Sequence, residues 1–184
     1  MEELAKGQLL IADPFLNDPN FLRSVVLLCE HSETLGSLGF VLNQSCEYKL
    51  GELMRSMAGN DFPVFIGGPV QKDHLFFIHT KPGIIPGGLE IIPGIFWGGD
   101  MEEAFEKIKM GLLNESNIKF FLGYSGWEMG QLEHEMELKS WLTTSADAQL
   151  LFTTDPENIW RNALQKKGGQ YAQLIHYPID PMLN

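Results

Sequence analysis

A series of short apolar runs, most of them bounded by glycine, proline or asparagine, limits what this chain can fold into. Most of the runs are too short for helices and are rich in β-branched or aromatic residues, which is typical of strands. They predict strands at residues 8–12, 24–29, 38–43, 63–66, 75–79, 89–92, 118–124 and 149–153. A chain with this many short strands needs a sheet as its central layer.

Helical periodicity occurs mostly after the first strands and predicts helices at residues 50–58, 100–112, 127–142 and 155–167. Asp100 and Asp155 stand where N-caps belong, and Pro156 suits a first helical turn. We therefore expect an α/β (α+β) fold with a mixed, largely antiparallel sheet, or a partly closed barrel, and helices packed around it. Because the 184 residues contain no linker or repeat, they are expected to form one domain over residues 1–184.

The charge balance limits the kind of partner. The chain has 13 Lys and Arg against 24 Asp and Glu, a formal charge of −11, which repels a phosphate backbone. Its basic doublet, Lys166–Lys167, lies at the end of a predicted helix, where cations favour the helix dipole. Direct nucleic-acid binding is therefore disfavoured, and the expected partner is a small molecule or a protein.

The sequence also indicates the compartment. The N-terminal stretch lacks a basic segment followed by a long apolar run, and no stretch is long and apolar enough to predict a membrane span. We expect a cytoplasmic protein without membrane contact. Cys29 and Cys46 are therefore expected to be free thiols, and the apolar run around Cys29 suggests that it is buried.

Residues 123–127, Gly-Tyr-Ser-Gly-Trp, resemble the nucleophile elbow of serine hydrolases. An elbow needs small residues two before and two after the nucleophile, because its strained turn brings backbone and helix close together. Gly123 satisfies this requirement around Ser125, whereas Trp127 does not. His176 follows later, but no acidic residue between Ser125 and His176 has a distinguishing setting. The sequence therefore favours a structural turn and no assigned catalytic residue.

Two further patterns resemble metal or anion sites. Glu133 and His134 begin an acidic segment without the second histidine of a zinc motif, so a solvated helix face is favoured and no metal site is predicted. Gly67 and Gly68 precede a proline and suit either an anion-binding turn or a tight connection between strands. No phosphate-loop or dinucleotide motif follows them, and no cofactor is predicted.

Several segments together resemble the bacterial YqgE/AlgH family. The similar segments are GQLLIADPFLNDPNFLRSVVLLCEH at 7–31, GSLGFVLNQ at 36–44, VFIGGPV at 64–70, LFFIHT at 75–80 and LGYSGWEMGQLEHEMELKSWL at 122–142, with a weaker match at 152–160. The resemblance implies an α/β fold with a mixed sheet, no established enzyme activity and no known cofactor. It also implies that alanine is tolerated at Ser125, which argues against a nucleophile there. The family is named for a regulator of alginate production, a name that rests on indirect association.

The favoured function is a non-enzymatic binding or regulatory protein of unknown ligand. The alternative is a small-molecule enzyme of hydrolase type that uses His31 or Cys29, and direct DNA binding ranks third. The expected ligand-binding residues come from the segments that carry the resemblance: Arg23, Ser24, His31, Asn43, Gly67, Gly68, Trp127, Gln131 and Glu133.

Three contacts are expected among these residues. Burying Arg23 alone would be costly, so a carboxylate partner is expected from Glu133 or Glu135, which is also the arrangement of a structural ion pair. His31 and Asn43 are expected to approach the 67–69 turn, where amides could receive an anionic or carbonyl ligand; turn-rich strand ends also gather such residues without binding anything. Two tryptophans are expected to be largely buried: Trp127 and Trp141.

Overall fold

The computed structural model describes residues 4–177 and has a ten-stranded mixed sheet at its centre. The helices are α1 (Leu50–Leu53), α2 (Met101–Lys109), α3 (Gln131–Glu137) and α4 (Pro156–Lys167). The strands are β1 (Gln8–Ala12), β2 (Val25–Ser32), β3 (Gly36–Val41), β4 (Ser45–Lys49), β5 (Pro63–Ile66), β6 (Val70–His79), β7 (Leu89–Ile92), β8 (Ile95–Trp97), β9 (Ile118–Trp127) and β10 (Trp141–Ser145).

Strand β9 holds the two halves of the sheet together. It pairs with β3 near its C-terminal end and, over residues 120–122, with β5 and β6 at once. The order β10-β1-β2-β3-β9-β6-β8-β7 leaves the sheet open, and β4 joins it through β5. Only the β5–β9 pairing is parallel among the pairings of the described chain. The prediction of a mixed, largely antiparallel sheet with helices around it is confirmed.

Helices cover both faces of this sheet. Alternate residues of β1 point to opposite faces, so Leu9 lies in a core cluster with Trp160 of α4, whereas Leu10 lies in another with Leu132 of α3. A third cluster forms where α2 covers β5, β6 and β9. The predicted pairing of the strands near 24–29 and 38–43 is confirmed, because β2 and β3 form an antiparallel hairpin.

The predicted helix at 127–142 is wrong at both ends. Strand β9 continues to Trp127, helix α3 begins only after Gly130, whose φ is 76°, and Lys139 at φ 61° turns the chain into β10. Residues 141–145 pair with β1 along their whole length, a tertiary contact that overrides the helical periodicity.

The predicted strand at 149–153 is also wrong, because these residues form a π-helical turn. Asp147 Oδ1 accepts a hydrogen bond from Leu150 N at 2.9 Å, and Leu150 and Leu151 are both buried. A short apolar run of this kind suits a buried helical turn as well as a strand. The predicted helix at 50–58 is divided into α1 and a 3₁₀ turn over Arg55–Met57, and strand β4 was not predicted.

Candidate functional site

A cleft of about 880 Å³ opens where the β2–β3 hairpin meets the C-terminal end of β9. Strand register builds it, because His31 of β2 lies opposite Ser37 of β3, and Ser37 lies opposite Trp127 of β9. Residues opposite each other in adjacent strands share a face, so these three side chains line one side of the sheet. The cleft is lined by Lys6, Glu30, His31, Ser32, Leu35, Gly36, Ser37, Leu38, Val70, Tyr124, Gly126, Trp127, Glu128 and Gln131.

His31 has polar partners on both ring nitrogens. Its Nδ1 lies 2.8 Å from the Ser37 hydroxyl, and its Nε2 lies 3.7 Å from Glu133 Oε1. The His31 side chain is 10% exposed and that of Glu133 is 35% exposed, so the imidazole is held at the cleft wall while the carboxylate reaches solvent. A break in the β2–β3 register between Leu28 and Glu30 precedes this end of β2. Such bulges re-aim the side chains that follow them.

A tryptophan–glutamate cluster holds Trp127 against helix α3. Glu135 Oε2 accepts hydrogen bonds from the indole N–H groups of Trp127 at 3.0 Å and Trp141 at 2.7 Å. Gln131 Nε2 donates to the other oxygen of Glu135 at 2.9 Å, and the two indoles are perpendicular, with ring centres 6.0 Å apart. Both tryptophans are buried, as predicted. Their contacts with Glu135 fix the orientation of the buried Trp127 ring.

The prediction that Arg23 pairs with Glu133 or Glu135 is wrong. Arg23 stacks over Trp160 at 4.7 Å on the α4 side of the sheet, and its guanidinium donates to the backbone oxygen of Tyr177. The two glutamates belong to α3 on the other face, which explains why they cannot meet Arg23. Within residues 4–177 Arg23 forms no ion pair, and burial lowers its pKa, with a smaller contribution from Arg161.

The expected grouping of His31 with Asn43 is also wrong. The antiparallel hairpin places His31 near its turn and Asn43 beyond its open end, beside Arg23. There Asn43 accepts from Val25 N and donates to Arg23 O, both at 2.9 Å, and the buried Ser24 hydroxyl is 3.2 Å from Gln44 Nε2. These hydrogen bonds stabilise the backbone around residues 23–25, and they lie away from the cleft.

Gly67 and Gly68 lie against the backbone of β9. Gly67 N donates to Leu122 O at 2.8 Å, and Gly67 O accepts from Val41 N at 2.9 Å and from the Ser125 hydroxyl at 3.0 Å. A Cβ on Gly68 would come within 2.2 Å of the Tyr124 backbone, so this turn requires glycine for close approach. The tight connection was one of the two predicted alternatives, and the structure supports that one.

Two candidate nucleophiles are enclosed in the fold. Ser125 is fully buried within β9, where its hydroxyl donates to Gly67 O, so the resemblance to a nucleophile elbow is structural. Cys29 is 3% exposed among core residues, and burial, together with the charge of Glu30, raises the pKa of its thiol well above the usual value. A buried neutral thiol is a poor nucleophile. Both cysteines are free thiols, as predicted.

Three of the predicted site residues therefore line the cleft, His31, Trp127 and Gln131, and a fourth, Glu133, lies 3.7 Å from His31. The remaining five lie elsewhere: Arg23, Ser24, Asn43, Gly67 and Gly68. Ser37 and Tyr124 were missed, although the Glu-Thr-Leu-Gly turn between two strands would have placed Ser37 opposite His31. The register of this hairpin could therefore have identified Ser37 as a neighbour of His31.

Neither a metal-binding cluster nor a membrane-spanning helix is present among the described residues. Within residues 4–177 no group of three or more histidine, cysteine, aspartate or glutamate side chains is arranged to hold a metal ion. In the same part of the chain no helix has the length and apolar character needed to cross a bilayer.

Known proteins are similar to this chain in sequence. A family model described as AlgH-like matches residues 9–172. A UPF0301 protein of Chlorobaculum tepidum is 44% identical over 100% of this chain and 97% of its own length, and one of Cytophaga hutchinsonii is 42% identical over 98% and 100%.

Two solved structures are also similar. The AlgH protein of Pseudomonas aeruginosa, solved in solution, superposes with a TM-score of 0.73 at 30% identity and covers 97% of this chain and 98% of its own. A crystal structure of a Corynebacterium diphtheriae protein has a TM-score of 0.80 at 20% identity over 96% and 94%, which supports the fold alone.

Proposed function

The chain belongs to the AlgH-like family, and from that premise we propose that it is a non-enzymatic binding protein with a regulatory role that takes its ligand in the hairpin cleft. The single observation that carries this proposal is the cleft itself. Its lining includes polar residues, among them His31, Ser37 and Gln131, and two aromatic residues, Tyr124 and Trp127. Ligand sites of small molecules have this composition of apolar walls with few oriented polar groups.

The rim of the cleft supports a polar organic molecule or a protein segment as the ligand. Leu35 at the hairpin tip is 88% exposed, and an exposed methionine, Met129, follows the β9 end of the cleft. Lys6, Glu30 and Glu128 place charges of both signs around the opening. We propose that the protein acts in the cytoplasm and regulates through this ligand without contacting DNA directly, because its formal charge of −11 repels nucleic acid.

A thermal-shift screen with nucleotides, metabolites and short peptides tests the proposal. A compound present at 100 times its Kd stabilises the folded state by about 2.7 kcal/mol, which raises the melting temperature by several degrees. His31→Gln is expected to abolish the shift caused by a hit, whereas His74→Gln, at an exposed histidine on β6, should keep it. Hits that His31→Gln leaves unchanged would place the ligand elsewhere and reject the cleft.

A hydrolase is the second candidate function, favoured by one specific observation. Ser37, His31 and Glu133 form a serine–histidine–carboxylate row beside the cleft, with Ser37 Oγ 2.8 Å from the imidazole. Two features rank it second. Ser37 is only 9% exposed, and Glu133 lies 3.7 Å from Nε2, beyond hydrogen-bond distance.

Hydrolysis of p-nitrophenyl acetate separates the two candidates. An enzyme of this kind would show turnover that Ser37→Ala removes by at least about 10³-fold, while Ser32→Ala, a second serine of the same cleft, would retain it. The binding proposal expects no difference between the two variants and the original chain. Turnover lost only in Ser37→Ala would replace it with the hydrolase.

A further inference from the structure

Lys119 occupies a core-facing position in β9. Its neighbours Ile118 and Phe120 lie in the cluster under α2, whereas Phe121 lies in the cluster under α4. Because strand side chains alternate, Lys119 shares the face of Phe121, and it is only 6% exposed. Burying a lysine at such a position is costly unless its amine has a compensating partner.

The amine of Lys119 lacks a compensating charge. Among the described residues its Nζ forms no ion pair or hydrogen bond, and its closest electrostatic contact is the ring of Phe65, with the ring centre at 4.0 Å. Burial accordingly lowers the pKa of Lys119 to about 7. A cation over an aromatic ring regains only part of the hydration that burial removes.

Lys119 lines a cavity of about 150 Å³. The apolar part of its wall comprises Phe62, Pro63, Phe65, Ile118 and Phe152, and the polar part comprises Glu115, Lys119, Thr153, Thr154 and Asp155. Both threonine hydroxyls already donate to Gln149 O, so they leave Lys119 as the strong donor. The cavity therefore offers one buried cationic group within a largely apolar wall.

The beginning of α4 adds positive potential at the same place. Pro156, its first residue, lines the cavity, and the side chain of Asp155 at the N-cap accepts no hydrogen bond from the first turn. Helix N-termini favour anions through their dipole and unsatisfied amides. Two exposed carboxylates, Glu115 and Asp155, also border the cavity, and their repulsion selects against ligands with more than one negative charge.

We propose that this cavity is a second binding site, for a small monocarboxylate whose carboxylate pairs with Lys119 Nζ and whose hydrocarbon part contacts Phe62, Phe65 and Phe152. A protein cavity of this volume holds a molecule the size of benzene, so the ligand has about six non-hydrogen atoms. The site lies about 26 Å along β9 from Trp127, at eight residues of about 3.3 Å each, and is therefore separate from the hairpin cleft.

Calorimetric titration with butyrate tests the site. The original chain should bind butyrate and not butanol, because butanol lacks the charge that pairs with the amine. Lys119→Met keeps an unbranched side chain one atom shorter than lysine and removes its charge. It should weaken butyrate binding at least about 100-fold, because breaking a buried ion pair costs that much. Lys72→Met, at an exposed lysine of β6, should bind as the original chain does.

The pH dependence provides a second measurement that needs no variant. The carboxylate requires the charged amine, so its affinity should fall about ten-fold per pH unit above 7, and binding at pH 8 should take up close to one proton. Butyrate binding that Lys119→Met leaves unchanged, affinity independent of pH between 7 and 9, stronger binding of phosphate than of butyrate, or no binding of butyrate would each overturn the proposal.

Discussion

His79 is a buried histidine whose two hydrogen bonds require the neutral ring. Its Nε2 is 3.1 Å from Gly98 O and must donate, and its Nδ1 accepts from Lys81 N at 3.1 Å. Protonation of Nδ1 would place two N–H groups against each other. Burial lowers the pKa of His79, and the bond to Gly98 opposes part of that shift. The folded state therefore binds the extra proton less readily than the unfolded state does.

The sign of the pH effect follows from that difference. As the pH falls below the unfolded value of about 6.5, the unfolded chain gains a proton that the folded protein resists, so stability is lost. Urea unfolding at pH 7, 6 and 5 should show a falling midpoint, and His79→Gln should flatten the profile. His74→Gln, at an exposed position, serves as the control and should leave the slope as it is. Equal slopes in both variants would contradict this account.

Glu135 satisfies two buried indole N–H groups at once, so its removal should be expensive. Glu135→Ala leaves Trp127 and Trp141 without their acceptor and is expected to lower the free energy of unfolding by about 2–4 kcal/mol. Glu137→Ala on the same helix removes an exposed carboxylate whose contact with His134 is 3.8 Å long, and should cost less than about 0.5 kcal/mol. Chemical denaturation measures both values; equal losses would mean that Glu135 does not support the tryptophans.

The turn between β5 and β6 depends on its close approach to β9. Gly68→Ala would push a methyl group to 2.2 Å from the Tyr124 backbone, and we expect a loss above about 4 kcal/mol or no folded protein. Gly94→Ala, in the β7–β8 turn, has φ 81° and open space around its Cβ, so strain alone should cost about 1–2 kcal/mol. Circular dichroism with urea compares the two, and similar stabilities would contradict the packing described for the 67–69 turn.

Local signals predicted elements well where they agreed with the tertiary contacts. The predicted strands 8–12, 63–66 and 89–92 match β1, β5 and β7, and the predicted helix 155–167 matches α4 with its Pro156 start. The prediction for residues 141–145 was wrong because these residues form a strand by pairing with β1. Strand β1 lies about 130 residues away in sequence, so the local sequence pattern does not indicate the pairing.

The candidate site was also predicted only in part from the sequence. His31, Trp127, Gln131 and Glu133 were named from the sequence and do meet, whereas the sequence placed Arg23 beside the glutamates. Helices α3 and α4 cover opposite faces of the sheet, so the partners of a strand residue depend on which helix packs on its face. No periodicity within one segment carries that information.

The two ends of strand β9 lie in different environments. Its C-terminal end forms the open cleft of mixed polarity, and its N-terminal end carries Lys119 in a small, mostly apolar cavity. The AlgH-like architecture is shared by proteins that keep 20–30% identity with this chain, so the strand and its partners are compatible with extensive sequence change. The proposed binding function depends on the hairpin cleft at one end of this strand.

Nuclear magnetic resonance of the four indole N–H groups tests that claim most directly. Metabolite pools added to ¹⁵N-labelled protein should shift the signal of Trp127, which lines the cleft, and leave that of Trp160, which donates to Ala12 O on the opposite face. His31→Gln should abolish the shift. Binding that moves Trp160 and not Trp127, or that persists in His31→Gln, would show that the cleft is not the site.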